Sequence, residues 1–140
     1  MRFQASPGSS RASGMSLIEI IIVIVLIGTV LVVVGQRVFG SQDRANVRLT
    51  AVQLENIGHN VEQFQMDVGR LPNALDELIS NPGEGRWLGP YVRENDLRDP
   101  WGNAIQYEVP GQSGRFALIS LGADGRPGGE SVNADIRFEP

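Results

Sequence analysis

Apolar residues follow two regimes along the chain. From position 15 to position 34 they are nearly continuous, a 20-residue run in which Glu19 is the single charge. Within it, residues 20–27 (IIIVIVLI) leave no polar stripe on any side, which a helix packed on a soluble core ordinarily keeps. At 1.5 Å per residue, about 20 helical residues span about 30 Å, the hydrocarbon thickness of a bilayer. The run therefore predicts a membrane-crossing helix. Farther on the pattern becomes periodic: Val47, Ala51, Leu54, Ile57, Val61, Phe64 and Val68 recur at spacings of three and four, one face of a helix. Arg44, Arg48, Glu55 and Glu62 fall off that stripe, and no proline interrupts the stretch from Met15 to Arg70. The two regimes together predict one unbroken helix over residues 15–67, about 80 Å long, whose first half protrudes from a head.

After Gly69 the turn signals multiply. Leu71-Pro72-Asn73 ends the helix, with Asn73 placed to cap a short amphipathic helix over 74–79, and Asn81-Pro82-Gly83 stops that one. Trp87, Leu88, Tyr91 and Val92 supply apolar anchors to an irregular segment that closes at the turn-rich string Asp99-Pro100-Trp101-Gly102-Asn103. Strands are expected at 104–109 (AIQYEV) and 115–121 (RFALISL), joined by a hairpin connection over 110–114, with a third at 135–138. The expected architecture is α+β, a long N-terminal helix whose amphipathic second half packs on a small antiparallel sheet.

A chain of 140 residues holds one ordinary domain. All 12 basic residues are arginine against 16 acids, net charge -4, without the clustered basic surface that nucleic acid requires, so no nucleic-acid partner is expected. The absence of cysteine excludes disulfides, thiolate zinc sites and a cysteine nucleophile. His59, the only histidine, lies off the apolar stripe and reads as solvated. There is no lysine and no G-x-S-x-G elbow, and the carboxylates of Glu94 and Asp96 lie in a charged loop, so no enzymatic role is expected. Residues 1–14 (MRFQASPGSSRASG) carry Arg2 and Arg11 and no acid, as a leader does. A conventional signal peptidase would cut after the apolar run, where the sequence reads LVVVGQRVFG without an A-x-A-like site, so the apolar segment is expected to remain in the mature protein. The positive leader favours a cytoplasmic N-terminus, against which Arg37, Arg44 and Arg48 weigh from the other side. Gly28 and Gly35 read either as positions that let neighbouring helices approach closely in lipid or as tolerated packing glycines.

The loop over residues 121–135 has four glycines, one proline and four acid or amide side chains, too little apolar surface to order itself by burial. Hard oxygen ligands on a chain bent by glycine suit calcium, which takes six to eight oxygens including backbone carbonyls. The EF-hand pattern is not matched, since Arg126 and Gly128 stand where it needs oxygen side chains, and a plain solvated loop is the competing reading.

The string Gly14-Met15-Ser16-Leu17-Ile18-Glu19 before an apolar run resembles the type IV prepilin signature, with methionine where the family usually has phenylalanine. The resemblance implies cleavage between Gly14 and Met15 by a prepilin peptidase and methylation of the new amino group. That amine, with a pKa of about 8, is largely cationic at neutral pH. With Met15 and Glu19 one helical turn apart, it offers Glu19 a partner for a charge that costs a few kcal/mol near a membrane core, either within one chain or between neighbours in a filament. Leu71-Pro72, Asp99-Pro100-Trp101-Gly102-Asn103, Pro110-Gly111, Ser120-Leu121-Gly122-Ala123-Asp124-Gly125, Gly128-Gly129 and Ala134-Asp135-Ile136 resemble the head of the major pseudopilins of the type II secretion system, with a shorter stretch after Pro72.

That family implies a type IV pilin-like fold with a cleaved leader over 1–14, a transmembrane and filament-core helix over 15–35, and a periplasmic head over 36–140. It implies a structural subunit of the bacterial inner membrane that polymerises with copies of itself into a periplasmic pseudopilus and helps drive folded proteins across the outer membrane. Its implied partners are minor pseudopilins, inner-membrane assembly proteins and the prepilin peptidase. It also implies a calcium site, with Asp124 and Asp135 as candidate side-chain ligands, the Leu121 backbone carbonyl as a further one, and Asn133 and Ser131 as weaker candidates. Type IV and competence pilins are the nearest alternative, though they commonly carry a C-terminal disulfide. A membrane-anchored binding module would need neither Glu19 nor a cut at Gly14.

Overall fold

The structure, a computed structural model, describes residue 8 and residues 13–140. Contacts divide the chain after Val38 into two units. Helix α1, Leu17–Val68, is unbroken and contributes to both. It starts two residues later than expected, where the Ser16 carbonyl accepts the N–H groups of Glu19 (3.0 Å) and Ile20 (3.2 Å). It ends at Gly69, whose φ of 90° suits a residue without Cβ and whose N–H caps the Gln65 carbonyl at 2.8 Å.

In the first unit every side chain over residues 17–34 is exposed, so the apolar run has no packing partner among the described residues. In the second unit Leu54, Ile57, Val61 and Phe64 of α1 enter the core with Leu75, Leu78, Val92, Ile105, Phe116 and Leu118. The expected stripe holds in its centre and shifts at its start. Ala51 is exposed, whereas Asn46 and Thr50 are buried, the Thr50 hydroxyl donating to the Asn46 carbonyl at 2.8 Å. That bond satisfies a polar group on the buried face, which an apolar pattern cannot register.

The sheet is antiparallel in the order β1 (Gln106–Glu108), β2 (Ala117–Ser120), β3 (Ile136–Phe138). All three strands exist where expected and each is shorter. Tyr107, Leu118 and Phe138 stand in register across it, and all three join the packing around the core. β3 comes so close to α1 that a Cβ at Gly58 would overlap the Phe138 ring. The Tyr107 hydroxyl donates to the Pro72 carbonyl at 2.9 Å, and burial, aided by the charge of Glu77, pushes its pKa up to about 12. Arg137 holds the Glu139 carboxyl down to about 2 just past the end of β3.

The helix expected over 74–79 is a single 3₁₀ turn, Leu75–Leu78. Asn73 does not cap it: its side chain and backbone N–H donate to the Glu77 carboxylate (3.1 and 3.3 Å), so the polar group at the start is satisfied by the acid four residues on. Two further 3₁₀ turns, Glu94–Leu97 and Ser131–Asn133, lie in segments that the sequence pattern leaves irregular.

Candidate functional site

The residues singled out by the sequence fall in two places. At the start of α1, Gly14 has open space around its Cα and Met15 is 67% exposed. Glu19 sits in the first helical turn, exposed, with no side-chain partner among the described residues. In the intact chain Met15 carries a peptide nitrogen, so the amine that Glu19 would pair with exists only after cleavage. Met15 also precedes the helix by two residues, which corrects the expectation of two positions one turn apart within it.

The second place is the loop between β2 and β3. Four glycines hold it in the left-handed region: Gly122 (φ 73°), Gly125 (64°), Gly128 (80°) and Gly129 (98°). The chain also doubles back on itself, since a Cβ at Gly122 would lie 2.8 Å from the Ala134 carbonyl oxygen and 2.9 Å from that of Val132, and one at Gly129 would overlap the Asn133 carbonyl. Two strands of loop backbone thus pack at a spacing only glycine permits, with carbonyl oxygens along the seam. The Val132 carbonyl accepts the Ala123 N–H at 2.9 Å.

Asp124 and Asp135 are both exposed on this loop. One oxygen of Asp124 accepts the Arg126 N–H at 3.1 Å, and both oxygens of Asp135 share the Gly128 N–H at 3.1 Å. Asn133 ends the Ser131–Asn133 turn, and Leu121 is half-buried at the loop's start. Among the described residues no three His, Cys, Asp or Glu side chains converge on one point. A cation here would therefore depend on the loop's carbonyl and amide oxygens beside Asp124 and Asp135. That donor set is all oxygen and fits calcium better than a softer ion.

Sequence reasoning misses the group that ties this loop to the head. Asp99 is 4% exposed, and its carboxylate accepts the Trp101 N–H (3.1 Å), the Asn103 N–H (2.8 Å) and the Ser120 hydroxyl (2.7 Å). The turn so fixed aims Trp101 Nε1 at Asp43 Oδ1 on α1 (3.0 Å) and sets Asn103 against the loop, where its amide donates to the Gly122 carbonyl (3.4 Å) and would meet a Cβ at Gly125. The string at 99–103 is legible as a turn. Its role as a clasp between helix, sheet and loop is not.

The chain resembles known proteins over nearly its whole length. Residues 37–139 match the family model of type II secretion system (T2SS), protein G. The type II secretion system core protein G of Xanthomonas campestris pv. campestris is 51% identical over 135 residues, covering 96% of this chain and 94% of that protein. The core protein G of Pseudomonas aeruginosa is 35% identical, covering 90% and 94%. Among solved structures, the major pseudopilin from the type 2 secretion system of enterohaemorrhagic Escherichia coli superposes with a TM-score of 0.58 at 27% identity, over 70% of this chain and 86% of that one. A long N-terminal helix on a small three-stranded sheet, matched in sequence to this depth, places the chain in the type II secretion system protein G family of structural pseudopilin subunits.

Proposed function

We propose that the chain is cut between Gly14 and Met15, held in the inner membrane by residues 15–35 with its head in the periplasm, and polymerised with copies of itself into a pseudopilus that helps drive folded proteins outward. Minor pseudopilins, inner-membrane assembly proteins and the prepilin peptidase are its partners, and it catalyses no reaction. The observation that carries this reading is an apolar segment of membrane length, exposed at every side chain, in the same helix whose second half builds the head's core. Such a surface calls for burial in lipid or against the apolar helices of other subunits. The carboxylate of Glu19 then finds the methylated amine of Met15 on its own or a neighbouring subunit.

Glu19→Val tests the pairing. The variant should insert as well as the native chain, since a charge is removed from the apolar run, yet give far fewer cross-linked filament species at equal membrane levels. Native assembly by this variant would remove the pairing role.

Calcium belongs to the same reading. The glycine-bent backbone and all-oxygen donor set of loop 121–135 support a site with the Leu121 carbonyl, Asp124, Asn133 and Asp135 as ligands. A ligand that binds only the folded state stabilises it by RT ln(1 + [L]/Kd), about 2.7 kcal/mol at a hundredfold excess over Kd. The purified chain in detergent should therefore melt at higher temperature with calcium than with chelator. Asp124→Ala should abolish most of that difference, while Glu94→Ala should leave it intact. Melting indifferent to millimolar calcium would return the loop to a plain solvated one.

A further inference from the structure

Charge is left unpaired in two separate clefts of the head. Arg44 and Arg48 stand one turn apart on α1 and, with Val47, Ser131 and Val132, line an open cleft of about 320 Å³. Both are exposed, and neither guanidinium has a hydrogen-bond or ion-pair partner among the described residues. Arginines 70, 115 and 137, by contrast, each engage a carboxylate of their own chain. Like charges one turn apart destabilise a helix, so the pair carries a local cost that an incoming anion relieves.

The second cleft, of about 160 Å³, is lined by Asp76, Ile79, Glu94 and Leu97 together with Arg98. The side chains of Asp76 and Glu94 are exposed and equally without partners among the described residues, and the Arg98 guanidinium donates to the Gly102 carbonyl at 3.1 Å. Two unpartnered cations therefore open on one cleft and two unpartnered anions on another, with apolar side chains beside each. The clefts share no residue. A contact that sets one patch of a subunit on a different patch of the next is heterologous, and wherever its rotation does not close a ring it repeats into an open helical filament.

We propose that Arg44 and Arg48 of one copy receive Asp76 and Glu94 of a second copy, forming a repeating contact between neighbouring heads. This rests on the filament reading above and adds the surface by which those heads recognise each other.

Charge reversal in the full membrane-bound chain tests it. Arg44→Glu with Arg48→Glu should lower filament yield by on the order of tenfold or more, because like charges then face each other. Asp76→Arg with Glu94→Arg should do the same, and all four substitutions together should restore assembly. Unchanged melting of each variant shows that the head is intact. As a gentler check, Arg48→Cys combined with Glu94→Cys should give a ladder of multimers with a short bismaleimide, the native chain having no cysteine to compete. The contact is refuted if either reversal assembles like the native chain, if the fourfold variant stays as low as its parents, or if the Arg48→Cys, Glu94→Cys chain forms filaments yet gives no ladder of its own multimers, whether uncross-linked or joined only to a different protein. Failure of the native chain itself to form filaments would overturn the filament reading, whereas native filaments with a failed rescue overturn this contact alone.

Discussion

Asp99 shows most clearly what a single residue contributes. It is a buried carboxylate with three hydrogen-bond donors, two from its own turn and one from Ser120, 21 positions away. Asp99→Ala would leave two part-buried backbone N–H groups and the buried Ser120 hydroxyl without their acceptor, and a buried polar group so orphaned costs about 1–3 kcal/mol. Chemical denaturation should show a loss of about 1–3 kcal/mol, and an unchanged midpoint would mean the turn holds without its carboxylate. The turn itself is readable because proline, glycine and asparagine each constrain the backbone locally. The burial of Asp99 is not, since the hydroxyl that satisfies it lies on a strand. Glu19 is the opposite case: its oddity is local, one charge in an apolar run, and the sequence alone exposes it. Asp124 and Asp135 are readable as oxygen donors, but the carbonyls across the seam from Gly122 and Gly129 are set by tertiary packing.

Among elements, α1 is the most legible, because its evidence is long and periodic: membrane-length hydrophobicity followed by Leu54, Ile57, Val61 and Phe64 at helical spacing. The strands are shorter than their sequence pattern, since β-forming side chains continue past the point where a neighbouring strand supplies hydrogen bonds. The turn at Leu75–Leu78 reads as a longer helix because a 3₁₀ turn and an amphipathic helix share their first few residues. Gly58 carries no such signal, an isolated glycine in a helical pattern whose reason is the Phe138 ring pressed against it. Gly58→Leu should force β3 off the helix and cost about 1–3 kcal/mol. Adding Phe138→Ala should recover part of that loss, since the two side chains compete for one space. Additive losses in thermal unfolding would show that the close approach does not matter.

For the whole molecule, two units divide the work within one chain. The head carries a packed core, a clasp at Asp99 and a glycine-bent loop with oxygen groups along its seam, and the first unit carries an apolar helix exposed over residues 17–34. The exposed run and the charge of Glu19 within it are both accounted for by the proposed membrane-held subunit that assembles with its copies. On the proposed reading assembly begins with the exposure of a new amino group at Met15, so the most direct measurement is the intact mass and N-terminal sequence of the protein recovered from membranes. The expected result is a chain beginning at a methylated Met15. A chain that keeps residues 1–14, or one cut after the apolar run, would contradict assembly as a pseudopilin.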